Sequence, residues 1–315
     1  MKAVVIEQYG GKDQLKQKDV PTPELNEDQV LIESHATSVN PIDWKIREGY
    51  FKDMLQWDAP ITLGWDVSGV VVDTGSKVTK FKKGDNVFAR PALTPNGTYA
   101  EFTAVEEHLL SHIPERVSFE DAAATPLAAL TAWQCLFEVA NLQKGQRVLI
   151  HAGSGGVGTY AIQLAKWAGA YVASTASAKN KELLETLGVD HFINYEEEAF
   201  DEVLEDYDVV LDTIGGEVHD RSYDILKQDG HLVSITKQPD EETAKAKGVN
   251  AHFVFLEPDG DQLARIAELM EEANIKSIVG KTFTFSEKGI RDAHELSESH
   301  HARGKIVIQI KPSAC

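Results

Sequence analysis

The sequence predicts an α/β protein in which a doubly wound parallel sheet is joined to a β-rich, partly open, barrel-like domain. Two observations support the parallel sheet: strand-length apolar runs alternate with helical segments from residue 147 onward, and a glycine-rich loop follows the first of these runs. A third observation supports the other domain, because the chain before residue 116 consists of short β-rich runs separated by glycine turns. We therefore expect a β-rich domain over 1–115, a parallel-sheet domain over 116–258 and a return to the first domain over 259–315.

The glycine loop lies between a predicted strand and a predicted helix. Gly153, Gly155 and Gly158 form the pattern G-x-G-x-x-G, and Gly156 and Val157 lie between the last two. Such glycines allow a tight turn, a close approach of the backbone to a pyrophosphate, and close packing of helix on strand. Apolar residues then recur at three- and four-residue spacing, as they do on one face of a helix. The pattern indicates a Rossmann dinucleotide-binding domain.

The elements of the β-rich part follow from alternation and turn residues. Strands are predicted at 2–7, 29–36, 64–73, 83–89 and 97–105. The hydroxyl of Ser118 and the acidic residues after it suit a helix N-terminus, with helical segments through 122–124 and 128–140.

Beyond residue 146 the alternation of strands and helices becomes regular. The predicted strands of the parallel sheet are 147–151, 171–175, 191–194, 207–211, 230–235 and 251–255. A helix near 260–273, a strand near 281–285, a helix near 287–299 and a final strand at 305–310 complete the chain.

Composition excludes several classes of protein. The 315 residues carry a net charge of −19, which repels nucleic acid and anionic membranes. No apolar run approaches the ~20 residues that span a bilayer, and the N-terminus does not resemble a signal peptide. The two cysteines, Cys135 and Cys315, form neither a disulfide framework nor a metal knuckle. We expect a cytoplasmic protein with a small-molecule substrate and no nucleic-acid or membrane partner.

The choice of cofactor is predicted from the end of the second strand of the parallel sheet. Enzymes that prefer NAD usually carry Asp or Glu there, about 20 residues past the glycine loop, for the ribose 2′-hydroxyl. This chain instead has Thr175, Ser177 and Lys179, which can donate to a 2′-phosphate. The sequence therefore predicts NADPH as the cofactor, and the alternative is that Lys179 belongs to a solvated helix start.

Several motifs together resemble the medium-chain dehydrogenase/reductase superfamily, and within it the zinc-free quinone oxidoreductase branch, also called zeta-crystallin-like. They are Thr131-Ala-Trp133, the glycine loop, the closing 303–308, and the segments 38–43, 45–50, 187–190 and 193–195. The resemblance covers nearly the whole chain. It implies that the β-rich domain is GroES-like, that the protein is a homodimer, and that Tyr195 lies near the 2′-phosphate.

The same resemblance allows the metal question to be decided position by position. Zinc-dependent relatives carry Cys, a His-Glu pair, and a second Cys or His where this chain has Asn40, Trp65-Asp66 and Leu127. Because zinc needs several nitrogen, sulfur or carboxylate ligands, Asp66 alone cannot hold it. We expect no catalytic metal. His294 and the neighbouring histidines 300 and 301 are expected on a solvated helix face, and His35 in the core.

Without a metal, the simplest chemistry is hydride transfer from a nicotinamide to the β-carbon of a quinone or enone, with charge developing on the carbonyl oxygen. Protein donors must stabilise that oxygen. The resemblance places Asn40 and Tyr50 beside the nicotinamide as candidate donors, and Thr131 in contact with it. The alternatives are a turn residue for Asn40, surface packing for Tyr50 and helix capping for Thr131.

Some questions stay open at the level of sequence. The aromatic segment 50–63 either lines a hydrophobic substrate mouth or packs on its own domain, and 234–240 lacks the glycine often found there. Two functions compete with a quinone or enone reductase: an enoyl-thioester reductase, and a non-catalytic NADPH-binding sensor or structural protein. The short apolar strand at 252–255, predicted last in its sheet, is expected to pair with its copy in a symmetric dimer.

Overall fold

The computed structural model describes residues 1–312 and divides them into two compact units. Unit 1 contains residues 1–127 and everything described from Pro258 onward, and unit 2 contains Ala128–Glu257. Cys315 lies outside the described residues.

The strands of the described chain are numbered here in sequence order. They are β1 (Lys2–Ile6), β2 (Lys16–Asp19), β3 (Gln29–Val39), β4 (Ile61–Thr62), β5 (Val67–Thr74), β6 (Asn86–Ala89), β7 (Phe102–Glu106), β8 (Leu110–His112), β9 (Arg147–Ile150), β10 (Tyr171–Ala176), β11 (His191–Asn194), β12 (Tyr207–Asp212), β13 (Leu226–Ser234), β14 (Asn250–Phe253), β15 (Val279–Thr284) and β16 (Lys305–Gln309).

The α-helices are numbered in the same way. They are α1 (Pro41–Arg47), α2 (Lys52–Leu55), α3 (Phe119–Ala123), α4 (Pro126–Trp133), α5 (Gly156–Trp167), α6 (Lys181–Thr186), α7 (Phe200–Val203), α8 (Gly216–Ser222), α9 (Glu241–Lys247), α10 (Gly260–Glu272) and α11 (Glu287–Glu298). A π-helical segment, Gln134–Val139, continues α4.

Unit 2 is built on a six-stranded parallel sheet with the order β11-β10-β9-β12-β13-β14. Counted within the unit this is 3-2-1-4-5-6, the order of a doubly wound dinucleotide-binding fold. The order reverses between β9 and β12, and the ligand crevice of such a sheet lies at the carboxyl ends of the strands at that point. β14 is an edge strand, as the sequence predicts. The prediction of a Rossmann sheet is confirmed.

Unit 1 contains two sheets, which form no closed barrel among residues 1–312. A three-stranded sheet has the order β2-β1-β4, and a larger sheet has the order β15-β16-β3-β5-β6-β8 with β7 also paired to β3. The long strand β3 has three partners, because β7 pairs with its first part, β16 with its last part and β5 along most of its length. A core containing Ile6, Leu63 and Trp65 packs below α1 and α11.

The boundary between the units differs from the one expected from sequence. Residues 116–127 belong to unit 1 rather than to the parallel-sheet domain, because α3 packs on the larger β-sheet of unit 1. Ala123 and Ala124 pack with Ala36 of β3, and Ser68 of β5 donates a hydrogen bond of 2.6 Å to the carbonyl of Phe119. The second boundary, at 257/258, lies one residue before the expected one.

Among the described residues no helix combines the length and apolar character needed to cross a bilayer.

Candidate active site

The glycine loop occupies the carboxyl end of β9 and leads into α5. An added Cβ at Gly158 would lie 2.5 Å from the Ala152 carbonyl oxygen, so the first turn of α5 approaches the loop closely. An added Cβ at Gly153 would collide with the Ser174 hydroxyl on β10 and would lie 2.9 Å from Ile162 Cδ1. Gly155, in contrast, has as its nearest neighbour the Ala152 oxygen at 3.3 Å. Gly153 and Gly158 therefore serve packing, and Gly155 leaves backbone accessible to a ligand.

These observations fit a dinucleotide. Gly155 is the N-cap of the twelve-residue helix α5, and Gly156 and Val157 are its first two residues, so unpaired backbone N–H groups face away from the helix at this point. Such groups and the helix dipole bind a pyrophosphate, provided that no side chain blocks the backbone. The Gly155 N–H donates to the Ala152 carbonyl at 2.9 Å, so the N–H groups that would hold the pyrophosphate are those of Gly156 and Val157, and Gly155 leaves room for it.

The predicted 2′-phosphate residues lie at the adjoining ends of β10 and β11. The Asn180 amide nitrogen lies 3.2 Å from Ser177 Oγ and 3.1 Å from Ser154 Oγ of the glycine loop. Lys179 is exposed, and the Tyr195 side chain, directly after β11, is 56 % exposed. The backbone N–H of Tyr195 donates to the Ala176 carbonyl at 3.4 Å. The structure therefore brings Ser177, Lys179 and Tyr195 to one edge of the sheet, beside the loop.

Thr175 is buried, as is Ser177, whereas Lys179 and Tyr195 are exposed. The Thr175 hydroxyl accepts from the Ala152 N–H at 3.2 Å and lies 3.2 Å from His151 Nδ1. Ser222 uses its hydroxyl hydrogen to donate to the Val218 carbonyl, so it accepts from His151 Nε2 at 3.0 Å. Because Nε2 then carries the ring's hydrogen, Nδ1 of the neutral ring accepts from the Thr175 hydroxyl. Burial lowers the pKa of His151 to about 4, so the ring is neutral at physiological pH. Thr175 thus holds the start of the glycine loop, and its cofactor contact stays a prediction.

Sequence reasoning missed the loop after β12, which is organised by the buried carboxylate of Asp212. Asp212 accepts from the N–H groups of Ile214 and Gly215, from the Ser234 hydroxyl and from His219 Nδ1, at 2.8–2.9 Å. Burial acts to raise the pKa of Asp212, but the hydrogen bonds outweigh it, and the pKa is lowered. The signal in the sequence was Asp212 at a strand end, three residues before a Gly-Gly pair.

In unit 1, Asn40 lies between β3 and α1 and is 3 % exposed. Its Nδ2 donates to Asp66 Oδ2 at 2.7 Å, and its Oδ1 accepts from the Lys305 ammonium. Lys305 also lies 3.3 Å from Asp66 Oδ2. All three side chains are buried, so they form an amide–carboxylate–ammonium cluster away from water.

Two of the positions that correspond to metal ligands in zinc-dependent relatives, Asn40 and the acidic member of the Trp65-Asp66 pair, lie in the cluster, and Leu127 contacts it through its backbone. Asn40 and Asp66 are in direct contact, and Asp66 Oδ1 accepts from the backbone N–H of Leu127 at 2.7 Å. Trp65 points elsewhere, into the apolar core. The cation among these positions is the ammonium of Lys305, which comes from the far end of the chain and was not considered in the sequence analysis.

A second buried polar network adjoins the first through Asp43. Asp43 Oδ2 accepts from the Asn40 backbone N–H at 2.9 Å and from the Tyr99 hydroxyl at 2.7 Å. Tyr99 also lies 3.1 Å from His294 Nε2, and His294 Nδ1 lies 3.2 Å from Arg47. Burial raises the pKa of Asp43 to about 7 and lowers that of His294 to about 3.

The expectation of a solvated face for His294 is wrong. The residue is fully buried, because α11 turns this side toward α1 and the unit 1 core. His35 is half-buried and packs its ring on Phe119, with ring centres 4.1 Å apart.

Tyr50 follows α1 and is 69 % exposed. Its ring packs edge-on against Trp44 with 5.9 Å between centres. In the segment after it, Phe51, Leu55 and Trp57 pack against the unit 1 core, whereas Met54 is exposed. Most of the aromatic bulk of this segment therefore serves packing within unit 1.

Thr131 lies in α4 and is 4 % exposed. It falls in unit 2, just beyond the boundary between the units. The helix around it continues into the π-helical segment, and its contact with the cofactor stays a prediction.

The fold and the glycine loop define a class: a dinucleotide-binding parallel-sheet unit combined with a β-rich unit, as in two-domain oxidoreductases. Residues 26–115 match the family described as alcohol dehydrogenase GroES-like domain, and residues 187–308 match the family described as zinc-binding dehydrogenase. The chain belongs to the medium-chain dehydrogenase/reductase superfamily, in its zinc-free, quinone oxidoreductase-like branch. The family predicted from the sequence motifs is confirmed.

Similar proteins of known name extend along almost the entire chain. An NADPH-dependent alkenal/one oxidoreductase of Arabidopsis thaliana is 38 % identical over 98 % of this chain and 79 % of its own length. A chloroplastic quinone oxidoreductase homologue of Spinacia oleracea is 33 % identical over 98 % of both chains.

Solved structures agree with this family. The quinone oxidoreductase from Coxiella burnetii superposes with a TM-score of 0.91 at 38 % identity, over 99 % of both chains. The Escherichia coli quinone oxidoreductase complexed with NADPH superposes with a TM-score of 0.88 at 26 % identity, over 98 % of this chain and all of that one.

Proposed function

We propose that this protein is an NADPH-dependent reductase that transfers a hydride to quinones or α,β-unsaturated carbonyl compounds without a metal. The observation that carries the proposal is the cluster of Asn40, Asp66 and Lys305, in which an ammonium lies among the positions that zinc-dependent relatives use for ligands. The names of the similar proteins, an NADPH-dependent alkenal/one oxidoreductase and quinone oxidoreductases, support it.

The cofactor is NADPH, and it supplies the hydride when bound. Gly156 and Val157 offer backbone N–H groups for its pyrophosphate, and Gly155 leaves room for it. Ser177 and Lys179, with Tyr195 beside them, offer hydroxyl and ammonium donors for a 2′-phosphate. The shape of the loop depends on close packing at Gly153 and Gly158 and on the hydrogen bond between Thr175 and Ala152. Thr131 is the remaining residue that we propose to contact the cofactor.

The substrate's carbonyl oxygen gains charge during the reaction and needs hydrogen-bond donors. We assign this role to Asn40 and Tyr50. Asn40 has two hydrogens on Nδ2, and the contact with Asp66 uses one of them. The Lys305 ammonium on Oδ1 draws electron density from the amide and makes the second hydrogen a stronger donor. Tyr50 is exposed enough for its hydroxyl to meet a ligand.

The test is turnover of NADPH with a panel of small quinones, alkenals and enoyl thioesters. We expect wild-type activity with quinones or alkenals, and a loss of roughly 10²–10³ in kcat for Asn40→Ala or Tyr50→Phe with NADPH affinity unchanged. Binding of NADPH without oxidation across the panel would instead indicate a sensor. Unchanged kcat in both variants would assign Asn40 and Tyr50 to packing.

We also propose a homodimer formed through β14. This strand has no second neighbour among the described strands, and Phe253 at its end and Phe255 just beyond it are 40 % and 48 % exposed. An apolar strand edge of this kind pairs readily with its own copy. Light scattering at micromolar concentration should give twice the chain mass, and Phe253→Asp, which places a charge on the exposed strand, should shift it toward the monomer. A monomeric wild type would contradict this assignment.

Finally, we propose a cytoplasmic location and a small-molecule substrate, with no nucleic-acid or membrane partner. The net charge of −19 supports the absence of polyanionic partners, since it repels them. Cys135 is free and buried, which is compatible with a reducing compartment. Cell fractionation that recovers the protein with an organelle or with membranes would contradict the location.

A further inference from the structure

Arg90 is a buried cation with few partners. It directly follows β6 and is 3 % exposed. Within residues 1–312, its one recorded hydrogen bond runs from Nη1 to the carbonyl of Pro91 at 2.6 Å, and its buried Nε has no partner. A guanidinium carries five N–H donors, and buried donors in folded proteins are nearly always paired. Arg90 therefore has hydrogen-bonding capacity that the chain itself does not use.

The strand register places Arg90 beside the amide–carboxylate–ammonium cluster. β5 and β6 are antiparallel, and Val67 pairs with Ala89. Asp66 comes just before Val67 and Arg90 just after Ala89, so the two residues face each other across the end of the strand pair. Asp66 is the residue that holds the Asn40 amide.

Electrostatics agree with this placement. Burial lowers the pKa of Arg90 to about 10, and the carboxylates of Asp66 and Asp43 act to raise it. Arg90 therefore stays charged at physiological pH. Two buried cations, Arg90 and Lys305, therefore act on Asp66, in a protein whose overall charge is strongly negative.

The neighbouring carboxylates are not free to pair with this guanidinium. Asp66 already accepts from the Ser38 hydroxyl at 2.6 Å, from Asn40, from the Leu127 N–H and from Lys305. Asp43 keeps one oxygen, Oδ1, that is buried without a partner, but the structure records no ion pair between it and Arg90 in the described chain. A water between Arg90 and Asp43 is the structural alternative.

We propose that Arg90 donates a hydrogen bond to the substrate's carbonyl oxygen and, together with Asn40 and Tyr50, stabilises the charge that develops there. The inference rests on the proposed reductase function and extends it by a catalytic residue. In the reaction, a hydride adds two electrons to the β-carbon, the electron pair of the C=C bond moves toward the carbonyl, and the oxygen becomes an enolate anion. A proton from solvent then reaches the α-carbon, and NADP⁺ and the saturated carbonyl compound result.

Arg90 suits this role better than Asn40 alone. The Asn40 amide donates one hydrogen to Asp66, and its oxygen accepts from Lys305, whereas Arg90 has donors that are both charged and unpaired. Donors that are already oriented and desolvated stabilise a developing oxyanion without reorganising at the moment of reaction. Charged donors also form hydrogen bonds about twice as strong as neutral ones.

The first experiment measures kcat and KM for an alkenal or quinone in wild type, Arg90→Lys and Arg90→Ala. We expect Arg90→Ala to lose roughly 10²–10³ in kcat with little change in NADPH affinity, and Arg90→Lys to lose less. Added guanidinium at millimolar concentration should restore part of the activity of Arg90→Ala. Arg265→Ala, which removes an exposed arginine of α10, is the control and should neither lose activity nor respond to guanidinium.

The second experiment uses no turnover. 4-Nitrophenol is a probe for an oxyanion site, because its coloured phenolate carries charge on one oxygen. We expect the NADP⁺-loaded wild type to lower the apparent pKa of bound 4-nitrophenol by at least about one unit, and Arg90→Ala to abolish that shift.

These readouts separate the two proposals. Suppose that none of the tested substrates supports oxidation of NADPH by wild type, but that wild type still lowers the pKa of the phenol through Arg90. The reductase proposal then fails and the oxyanion site stands. If wild type is active and Arg90→Ala keeps both kcat and the phenol shift, the oxyanion role is wrong. If Arg90→Ala lowers thermal stability but leaves kcat and the phenol shift intact, the oxyanion role is also wrong. That result would favour the structural role in which a water connects Arg90 and Asp43.

Discussion

Two alanine substitutions in the glycine loop should have opposite consequences. Gly153→Ala should destabilise unit 2, whereas Gly155→Ala should leave stability nearly unchanged and weaken cofactor binding. The difference arises because an added Cβ at Gly153 collides with Ser174, while at Gly155 its nearest neighbour is the Ala152 oxygen at 3.3 Å. The two positions are separated by a single residue.

The expected magnitudes follow from these contacts. At Gly153 the Cβ also lies 2.9 Å from Ile162 Cδ1, and overpacking of a tight interior typically costs about 1–3 kcal/mol. A loss of that size lowers Tm by roughly 2–12 °C for a domain of this scale. Gly155 has φ −80° and ψ 174°, values that any residue adopts, so alanine changes stability by less than about 1 kcal/mol.

The binding effect at Gly155 concerns the pyrophosphate. A methyl group there keeps the phosphate oxygens from the backbone N–H groups, and each hydrogen bond to a charged group contributes about 1.5–3 kcal/mol. NADPH and NADH should therefore both bind roughly ten- to a hundredfold more weakly. Both effects are measurable: Tm by thermal unfolding without cofactor, and Kd by titrating the nucleotide fluorescence.

A second-site change provides the control. Ser174→Ala removes the hydroxyl that an added Cβ at Gly153 would meet, so Gly153→Ala combined with Ser174→Ala should lose less stability than the two single variants added together. Equal stability losses for Gly153→Ala and Gly155→Ala would refute the division of roles. So would a Gly155→Ala protein that binds NADPH as tightly as wild type.

Three further predictions concern charged residues. Lys179→Ala should weaken NADPH binding roughly ten- to a hundredfold and leave NADH binding nearly unchanged. The control Lys181→Ala should affect the binding of neither nucleotide. Equal losses for both nucleotides with Lys179→Ala would reject the 2′-phosphate role. Lys305→Met should destabilise unit 1 by about 3–5 kcal/mol, because it leaves the buried Asp66 without its paired ammonium. Adding Asp66→Asn should recover part of that loss. Strictly additive changes in the free energy of unfolding would count against an ion pair between Lys305 and Asp66. Burial raises the pKa of Asp43 to about 7, so the folded chain keeps a proton that the unfolded chain releases near about pH 4. The stability that Asp43 contributes is therefore complete below about pH 4 and is lost, by about 4 kcal/mol, as the pH rises to about 7. Denaturation of wild type and Asp43→Asn at several pH values measures this difference, and a difference that does not change with pH would show that Asp43 does not titrate in this range.

Local patterns in the sequence were sufficient for the elements of unit 2. Its six predicted strands lie within a few residues of β9 to β14, and the order of strands matches the doubly wound prediction. The reason is that each strand is a short, continuous apolar run between helices, and that the glycine loop can only follow the first of them. The division between the units at 127/128 depends on longer-range contacts, because the helix α3 packs on strands of unit 1.

By itself, then, the sequence determined the fold class, the family and the position of the dinucleotide loop, since each is encoded in residues close together along the chain. Only the tertiary structure decided which side chains meet around Asn40. Lys305 lies 265 positions away from it, Asp66 26 positions away, and Arg90 reaches the cluster through strand register. The burial of His294 was decided in the same way, because the polar residues around it in sequence gave no sign of the helix that packs over it. Contacts between distant segments depend on how sheets and helices pack, whereas local hydrophobic periodicity predicts the elements themselves and not which of them come into contact.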